Sequence, residues 1–325
     1  MKALALAAAL GCAALVTPAP AEQTPFARRA EVQAFIAEMA ARHGFAAPQL
    51  AATFARARPL PEVLRAIEPQ AQPRSWVAYR AIFLDEARVR AGSEFLRAHA
   101  PLLARAEERW GVPEKVIAAI LGVESFYGRQ TGRYRVFEAL ATLAFGYAPR
   151  QAYFRSELEH FLLYARSRGL DPLAPRGSYA GAMGIPQFMP GSLLAYAVDF
   201  DGDGHVDLEA SLADAIGSVA HFLARHGWRR GEPAAVPARV RGESWRSHVG
   251  GVAPRQPFDE LQRAGVDAEG APAAALAVLI ELATPGAASE FRVGFHNFWV
   301  ITRYNRSSFY AAAVVDLAQA IAEAR

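Results

Sequence analysis

The 325-residue chain predicts a mainly α protein, α+β in class, on three observations. Apolar residues recur at three- and four-residue steps through nearly every strongly patterned segment, the spacing of one buried helix face. The stretch 233–285 breaks that habit, with short apolar runs between turn residues. The length also exceeds what one small core organises, so two or three subdomains are expected.

The elements follow in order. Segment 1–21 has Lys2, an apolar run from Ala3 to Val16, and then Ala19-Pro20-Ala21. This is the charged, apolar, A-x-A order of a secretory signal, with cleavage expected after Ala21. The run is short of the roughly 20 residues that span a bilayer, so a periplasmic protein is expected. Cys12 is the only cysteine. It is either a lipidation site tying the protein to the outer membrane or a filler residue of the signal. In both cases the mature chain has no disulfide.

A helical region, 22–105, comes next. Val32, Phe35, Ile36 and Met39 share one face of a helix over 31–42. The prolines at 59–61 and 69–73 read as turns, and 81–106 as one or two helices. The region 106–232 should form the core. Pro113 suits the first turn of a helix running to about Tyr127. Phe154, Leu158, Phe161, Leu162 and Ala165 line a helix over 153–167, and a loop of small residues and prolines fills 171–191. Ser211 starts a helix that turns Ile216, Val219, Phe222 and Leu223 inward. The small β-containing insert, 233–289, has strand-like runs at 236–240 and 275–282. The last segment, 290–325, begins strand-like at 290–294 and returns to the core with an Ala-rich helix over 309–323.

Net charge is +3, too weak to argue for nucleic acid, though a slightly basic cleft suits an acidic polymer. No Gly-rich nucleotide loop and no His/Cys metal cluster occurs, so calcium is the one cofactor with a signal. That signal is DFDGDGHVDLEA, which begins at Asp199. Asp199, Asp201 and Asp203 take positions 1, 3 and 5 of a calcium loop. Gly204 makes the turn at 6, His205 offers its carbonyl at 7, and Asp207 stands at 9. Ala210 occupies position 12, where such a loop carries Glu. A sensor works with paired helices that open; one loop alone points to a structural ion.

The chemistry-bearing candidate is Glu124. Ile117, Ile120, Leu121 and Glu124 share one helix face, so this carboxyl is expected to lose hydration and hold its proton near neutral pH, as a general acid must. The bland alternative is a Glu paired with Arg129 or Arg133. Phe126, Tyr127, Tyr134, Phe137, Phe145 and Tyr147 follow closely. They suit either sugar stacking or plain core packing. No second acid is evident near the motif: Glu138 lies on another segment, and Glu157 and Glu159 fit a solvated helix face.

Five motifs occur together in a fixed order: GVESFYGR, YAGAMGIPQFMP (179–190), DFDGDG, DAIGSVA (214–220) and NFWVITRYNRSSFYA (297–311). In this the chain resembles the lytic murein transglycosylases of glycoside hydrolase family 103, from about Trp76 onward. The resemblance implies a lysozyme-like catalytic core. It also implies cleavage of the MurNAc-β-1,4-GlcNAc bond of peptidoglycan glycan strands with formation of 1,6-anhydro-MurNAc. Glu124 would act first as acid and then as base. By position, Tyr79, Ser178, Gln187, Phe222, Tyr304, Asn305 and Tyr310 fall at substrate-binding places. Asp214 matches a calcium ligand of the family, although Ser211 and Asp214 also read as a capping pair.

There are departures from the pattern. Phe222 stands where a relative carries tyrosine. Ser125-Phe126-Tyr127 replaces a more polar triplet ending in Trp, and Ile185-Pro186 stiffens the loop. These bear on subsite affinity. The rival classes are a lysozyme-type peptidoglycan hydrolase, which needs a second carboxylate, and a calcium-dependent glycan-binding module, which does not need Glu124.

Overall fold

The computed structural model describes residues 25–68 and 75–325. The expected signal, Cys12 and the turn at 69–73 lie outside them. Two units separate between Pro59 and Leu60. In the first, α1 (Ala30–His43) and α2 (Ala47–Arg56) pair. Val32, Phe35, Ile36 and Met39 are all buried, as their spacing predicts, and Phe35 meets Phe54 edge-on with ring centroids 6.1 Å apart. Gly44, at φ 66°, closes α1 in the left-handed region that suits glycine.

The second unit continues with α3 (Pro61–Ile67), α4 (Trp76–Phe83), α5 (Glu86–Ala98), α6 (Ala100–Trp110) and α7 (Glu114–Ser125). The stretch expected to hold one or two helices therefore holds three. Asp85 starts α5 afresh by accepting the amide of Arg88 at 2.9 Å, and Pro101 sits at the first turn of α6, where its missing N–H costs nothing. The boundary expected after residue 105 falls inside α6. Moreover, α5 and α6 both pack on α7, so much of the region read as N-terminal belongs to the core.

Around α7 the chain adds α8 (Val136–Gly146), α9 (Gln151–Ser167), α10 (Pro190–Tyr196), α11 (Leu212–Arg225), α12 (Phe258–Arg263), α13 (His296–Ile301) and α14 (Ser308–Glu323). Helix α7 lies against α5, α6, α11 and α14. The approach of α5 and α7 depends on two glycines. A Cβ on Gly92 would lie 2.2 Å from the Tyr127 hydroxyl, and one on Gly122 would lie 2.6 Å from it. With both methyls absent, Tyr127 reaches across and donates to the Arg88 carbonyl at 3.2 Å.

Among the described residues, seven short strands complete the unit: β1 (Tyr134–Arg135), β2 (Arg176–Gly177), β3 (Ala235–Val240), β4 (Gln256–Pro257), β5 (Val266–Asp267), β6 (Leu276–Leu282) and β7 (Glu290–Gly294). An antiparallel sheet in the order β4-β6-β7-β3-β5 occupies the part of the chain read as a β-containing insert, and its β7 lies beyond the insert expected over 233–289. Its own core holds Trp245, Phe258, Leu261, Val293 and Phe295. The separate β1–β2 pair ties the chain after α7 to the start of the loop that precedes α10.

Candidate active site

Glu124 sits in the last turn of α7. The helix ends there because Phe126 and Tyr127 take φ of 51° and 58°, the left-handed conformation that stops a helix. Three observations define its environment. The Tyr310 hydroxyl, from α14, donates to Glu124 Oε1 at 2.5 Å. No arginine or lysine pairs with the carboxylate among the described residues, so the alternative of a salt-bridged Glu124 does not hold. Finally, protein crowds the carboxyl, and burial raises its pKa to about 7 against a smaller lowering by the Tyr310 hydrogen bond. The residue still keeps a partial opening to solvent. A proton is therefore available near neutral pH on Oε2, to which nothing donates among the described residues.

The two tyrosines expected near the acid are brought together. Tyr304 and Tyr310 stack at 6.4 Å with their planes 14° apart. Burial pushes both phenols well up, and the nearby Glu124 charge adds to it, so both stay neutral donors. Tyr304 gives its hydrogen bond to the Pro186 carbonyl at 2.6 Å. Phe222 is only 4% exposed. It packs on Tyr304 at 4.8 Å and on Phe188 at 5.6 Å. Its place is thus behind Tyr304, where a ring without a hydroxyl leaves no polar group unpaired.

Ser178 and Gln187 both lie in the loop of small residues that precedes α10. Ser178 Oγ accepts the Ala182 amide at 3.0 Å, which leaves its O–H as donor. Gln187 sits at φ 50° and uses its side-chain N–H groups on the carbonyls of Thr131 (2.9 Å) and Gly184 (2.7 Å). Nothing donates to its side-chain oxygen among the described residues. The pair therefore presents one donor and one acceptor. Tyr79 lies on α4, half-buried, in a ring chain with Phe83 (5.3 Å) and Phe309 (5.7 Å). Asn305 is exposed in the turn between α13 and α14, and its carbonyl accepts the Ser307 amide at 2.7 Å.

Phe188, Thr131 and Phe309 were not singled out in the sequence, and Pro186 only as a stiffener of the loop. Their roles arise from backbone carbonyls and long-range ring contacts, which leave no local pattern. Glu157 is a correction: it is 8% exposed rather than solvated, because α9 turns this residue toward α10 and the amide of Gly191 at 2.8 Å. Glu138 is also buried, with Arg135 at 3.7 Å.

At the acidic loop, oxygens of Asp199, Asp201 and Asp203 gather within 4.8 Å of one another. Three carboxylates on one turn are the hard oxygen donors calcium takes, so the residues present fit the ion. Asp199 also accepts the amides of Gly202 and Gly204, and the His205 amide donates to Asp203 at 2.7 Å. Asp214 is 1% exposed. Its two oxygens accept the amides of Phe200 and Asp207, both at 2.7 Å, so it closes the loop from inside. The capping relation is real as well: Ser211 Oγ accepts the Asp214 amide at 3.1 Å. Asp207 caps the amides of Glu209 and Ala210 at 2.9 Å.

A partly exposed carboxyl with a raised pKa, hydrogen-bonded by Tyr310, is a group that can give and take a proton near neutral pH; the class of enzyme comes from comparison with known proteins. Residues 27–319 match the family described as transglycosylase SLT domain. The chain therefore belongs to that family and is an enzyme of the lytic transglycosylase class. It is 40% identical over 321 residues to the membrane-bound lytic murein transglycosylase B of Escherichia coli (strain K12), covering 92% of this chain and 85% of that protein. The soluble lytic transglycosylase SltB1 of Pseudomonas aeruginosa superposes with a TM-score of 0.84 at 47% identity, over 91% of this chain and 99% of that one. The Escherichia coli lytic transglycosylase SLT35 in complex with calcium gives 0.83 at 41% identity, over 93% and 94%. The mainly α, lysozyme-like class expected from the sequence is the class of these relatives.

Proposed function

We propose that the enzyme cleaves the MurNAc-β-1,4-GlcNAc bond of peptidoglycan without water, with Glu124 as its single acid and base. The observation that carries this is the Tyr310–Glu124 bond on a carboxyl whose pKa burial raises to about 7. Protonated Glu124 gives its proton to the glycosidic oxygen as the C1–O bond breaks. The muramyl 2-acetamido oxygen supports the charge at C1, which removes the need for a second carboxylate. Glu124, now a carboxylate, takes the proton of the 6-hydroxyl as that oxygen closes on C1. The ring leaves as 1,6-anhydro-MurNAc, and Glu124 is protonated again. The engaged state of Glu138 and Glu157 supports this over a hydrolase, since neither carboxylate is free to activate water.

Ser178 and Gln187 suit an acetamido group, the donor meeting its carbonyl and the acceptor its N–H. Tyr79 and Tyr304 offer ring faces to sugars, and Asn305 stands at the rim. In the acidic loop, calcium would be held by Asp199, Asp201, Asp203 and the His205 carbonyl, with Asp214 bracing them. It would supply rigidity to the connection between α10 and α11. The sequence also supports export, because the 1–21 segment reads as a signal. Lipidation at Cys12 would place the enzyme on the outer membrane.

The test is mass spectrometry of muropeptides released from purified sacculi. Products one water lighter than reducing muropeptides are expected from the wild type and not from Glu124→Gln. Reducing-end products would show a hydrolase instead.

A further inference from the structure

The loop that carries Gln187 is fixed at its start by the β1–β2 pair. Its far end has a different anchor. Pro190 opens α10 directly after Met189, and the Gly191 amide donates to Glu157 Oε2 at 2.8 Å. Glu157 belongs to α9, which packs along α10. Its carboxylate is nine-tenths buried, His160 Nδ1 stands 3.9 Å away, and the charge of Arg150 also bears on it. The His160 nitrogen is buried and has no hydrogen-bond partner among the described residues. Gly191 is required by the closeness of both groups: a Cβ there would lie 2.8 Å from His160 Nδ1 and 3.3 Å from each Glu157 oxygen.

A buried acid serving one backbone amide is an expensive way to hold a loop, because burial raises its pKa and disfavours its charge. The amide it holds lies four residues beyond Gln187. Between them, Phe188 pairs with Met183 through Met183 N–H to Phe188 O at 2.8 Å and the reverse bond at 3.1 Å. The Phe188 ring in turn meets Tyr304 at 5.7 Å. Gly191, Phe188 and Gln187 thus lie on one short hydrogen-bonded stretch that meets the Tyr304 ring through Phe188.

We infer that Glu157 is a positioning residue for glycan binding, which clamps Gly191 so that the free oxygen of Gln187 stays aligned toward the substrate. It does not touch the reacting atoms. The inference rests on the reading of Gln187 as a substrate contact. Its test is steady-state turnover of isolated glycan strands, with the melting temperature measured alongside. Glu157→Ala removes the acceptor and is expected to raise KM about tenfold with kcat within threefold. Glu157→Gln keeps an oxygen for the Gly191 amide and is expected to restore KM to within about twofold of wild type. Gly191→Ala leaves Glu157 in place yet pushes the segment away from it, and should reproduce the raised KM; it also serves if Glu157→Ala fails to fold. An unchanged KM in Glu157→Ala or Gly191→Ala at a temperature where each is folded overturns the clamp. So does equal loss in Glu157→Gln and Glu157→Ala. Loss of turnover in Glu124→Gln is a separate result, so the clamp can fail while the reaction assignment stands.

Discussion

Removing the Tyr310 hydroxyl changes Glu124 in two ways. The hydrogen bond lowers the acid's pKa against the effect of burial, so Tyr310→Phe should move the alkaline limb of the pH–rate profile upward while reducing kcat. Unmutated enzyme should lose kcat/KM about tenfold per pH unit above about 7, as the protonated fraction falls. Glu124→Gln should cost about 10² to 10⁴ in turnover. The same substitution has a stability effect of fixed sign. Because the folded pKa lies above the ordinary 4.5, native Glu124 loses stability as pH rises toward and through about 7. Glu124→Gln should thus melt at a similar temperature to wild type near pH 4 and higher at pH 9. The gain should be at most about 3 kcal/mol, and less to the extent that water reaches the carboxyl. Equal melting temperatures at pH 9 would refute the buried-acid account. Much of this was legible in the sequence: the helical spacing of Ile117, Ile120, Leu121 and Glu124 is enough to predict an acid on an apolar face. What would make it an acid catalyst, as proposed, is not local. Tyr310 lies 186 residues away, and no periodicity points from one to the other.

Among the elements, the crossing of α5 and α7 and the acidic loop invite separate measurements. Gly92→Ala would place a methyl 2.2 Å from the Tyr127 oxygen and 2.5 Å from Ile321 Cγ2. It should destabilise by about 1–3 kcal/mol in denaturant melts, as overpacking does. For the loop, a chelator should lower the melting temperature, and Asp201→Asn should shrink that response. An ion at a hundred times its Kd contributes about 2.7 kcal/mol. Asp214 already closes the loop through the amides of Phe200 and Asp207, so circular dichroism should show the helices retained without the ion. The acidic cluster itself was plain in DFDGDG because its three carboxylates stand at alternate positions of one short stretch. The helix breaks at Leu84 and His99 were less so, since alanine-rich windows read as continuous helix and the breaks depend on Asp85 capping and on Pro101. Glu157 was misjudged for a related reason. One helix face can be apolar along most of its length and still bury a carboxylate where a neighbouring amide is waiting.

Considered as a whole, the chain places every candidate site residue, from Tyr79 to Tyr310, in the unit that starts at Leu60. A chain beginning at Leu60 should therefore keep turnover of glycan strands within about fivefold, and complete loss would assign the first unit a part in catalysis. Domain organisation was the least legible feature, because a boundary is a deficit of contacts and contacts between distant segments leave no trace in a linear pattern. The separation between Glu124 and Tyr310 has one more consequence. A ribosome that stalls between them releases a fragment holding the acid but neither the tyrosine that orients it nor the rings of Tyr304 and Phe309. On the proposed mechanism such a fragment should release nothing from sacculi. Competence to cut the wall would then arrive only when translation has run through the stretch that folds back over the acid, and unfinished copies would be harmless by construction.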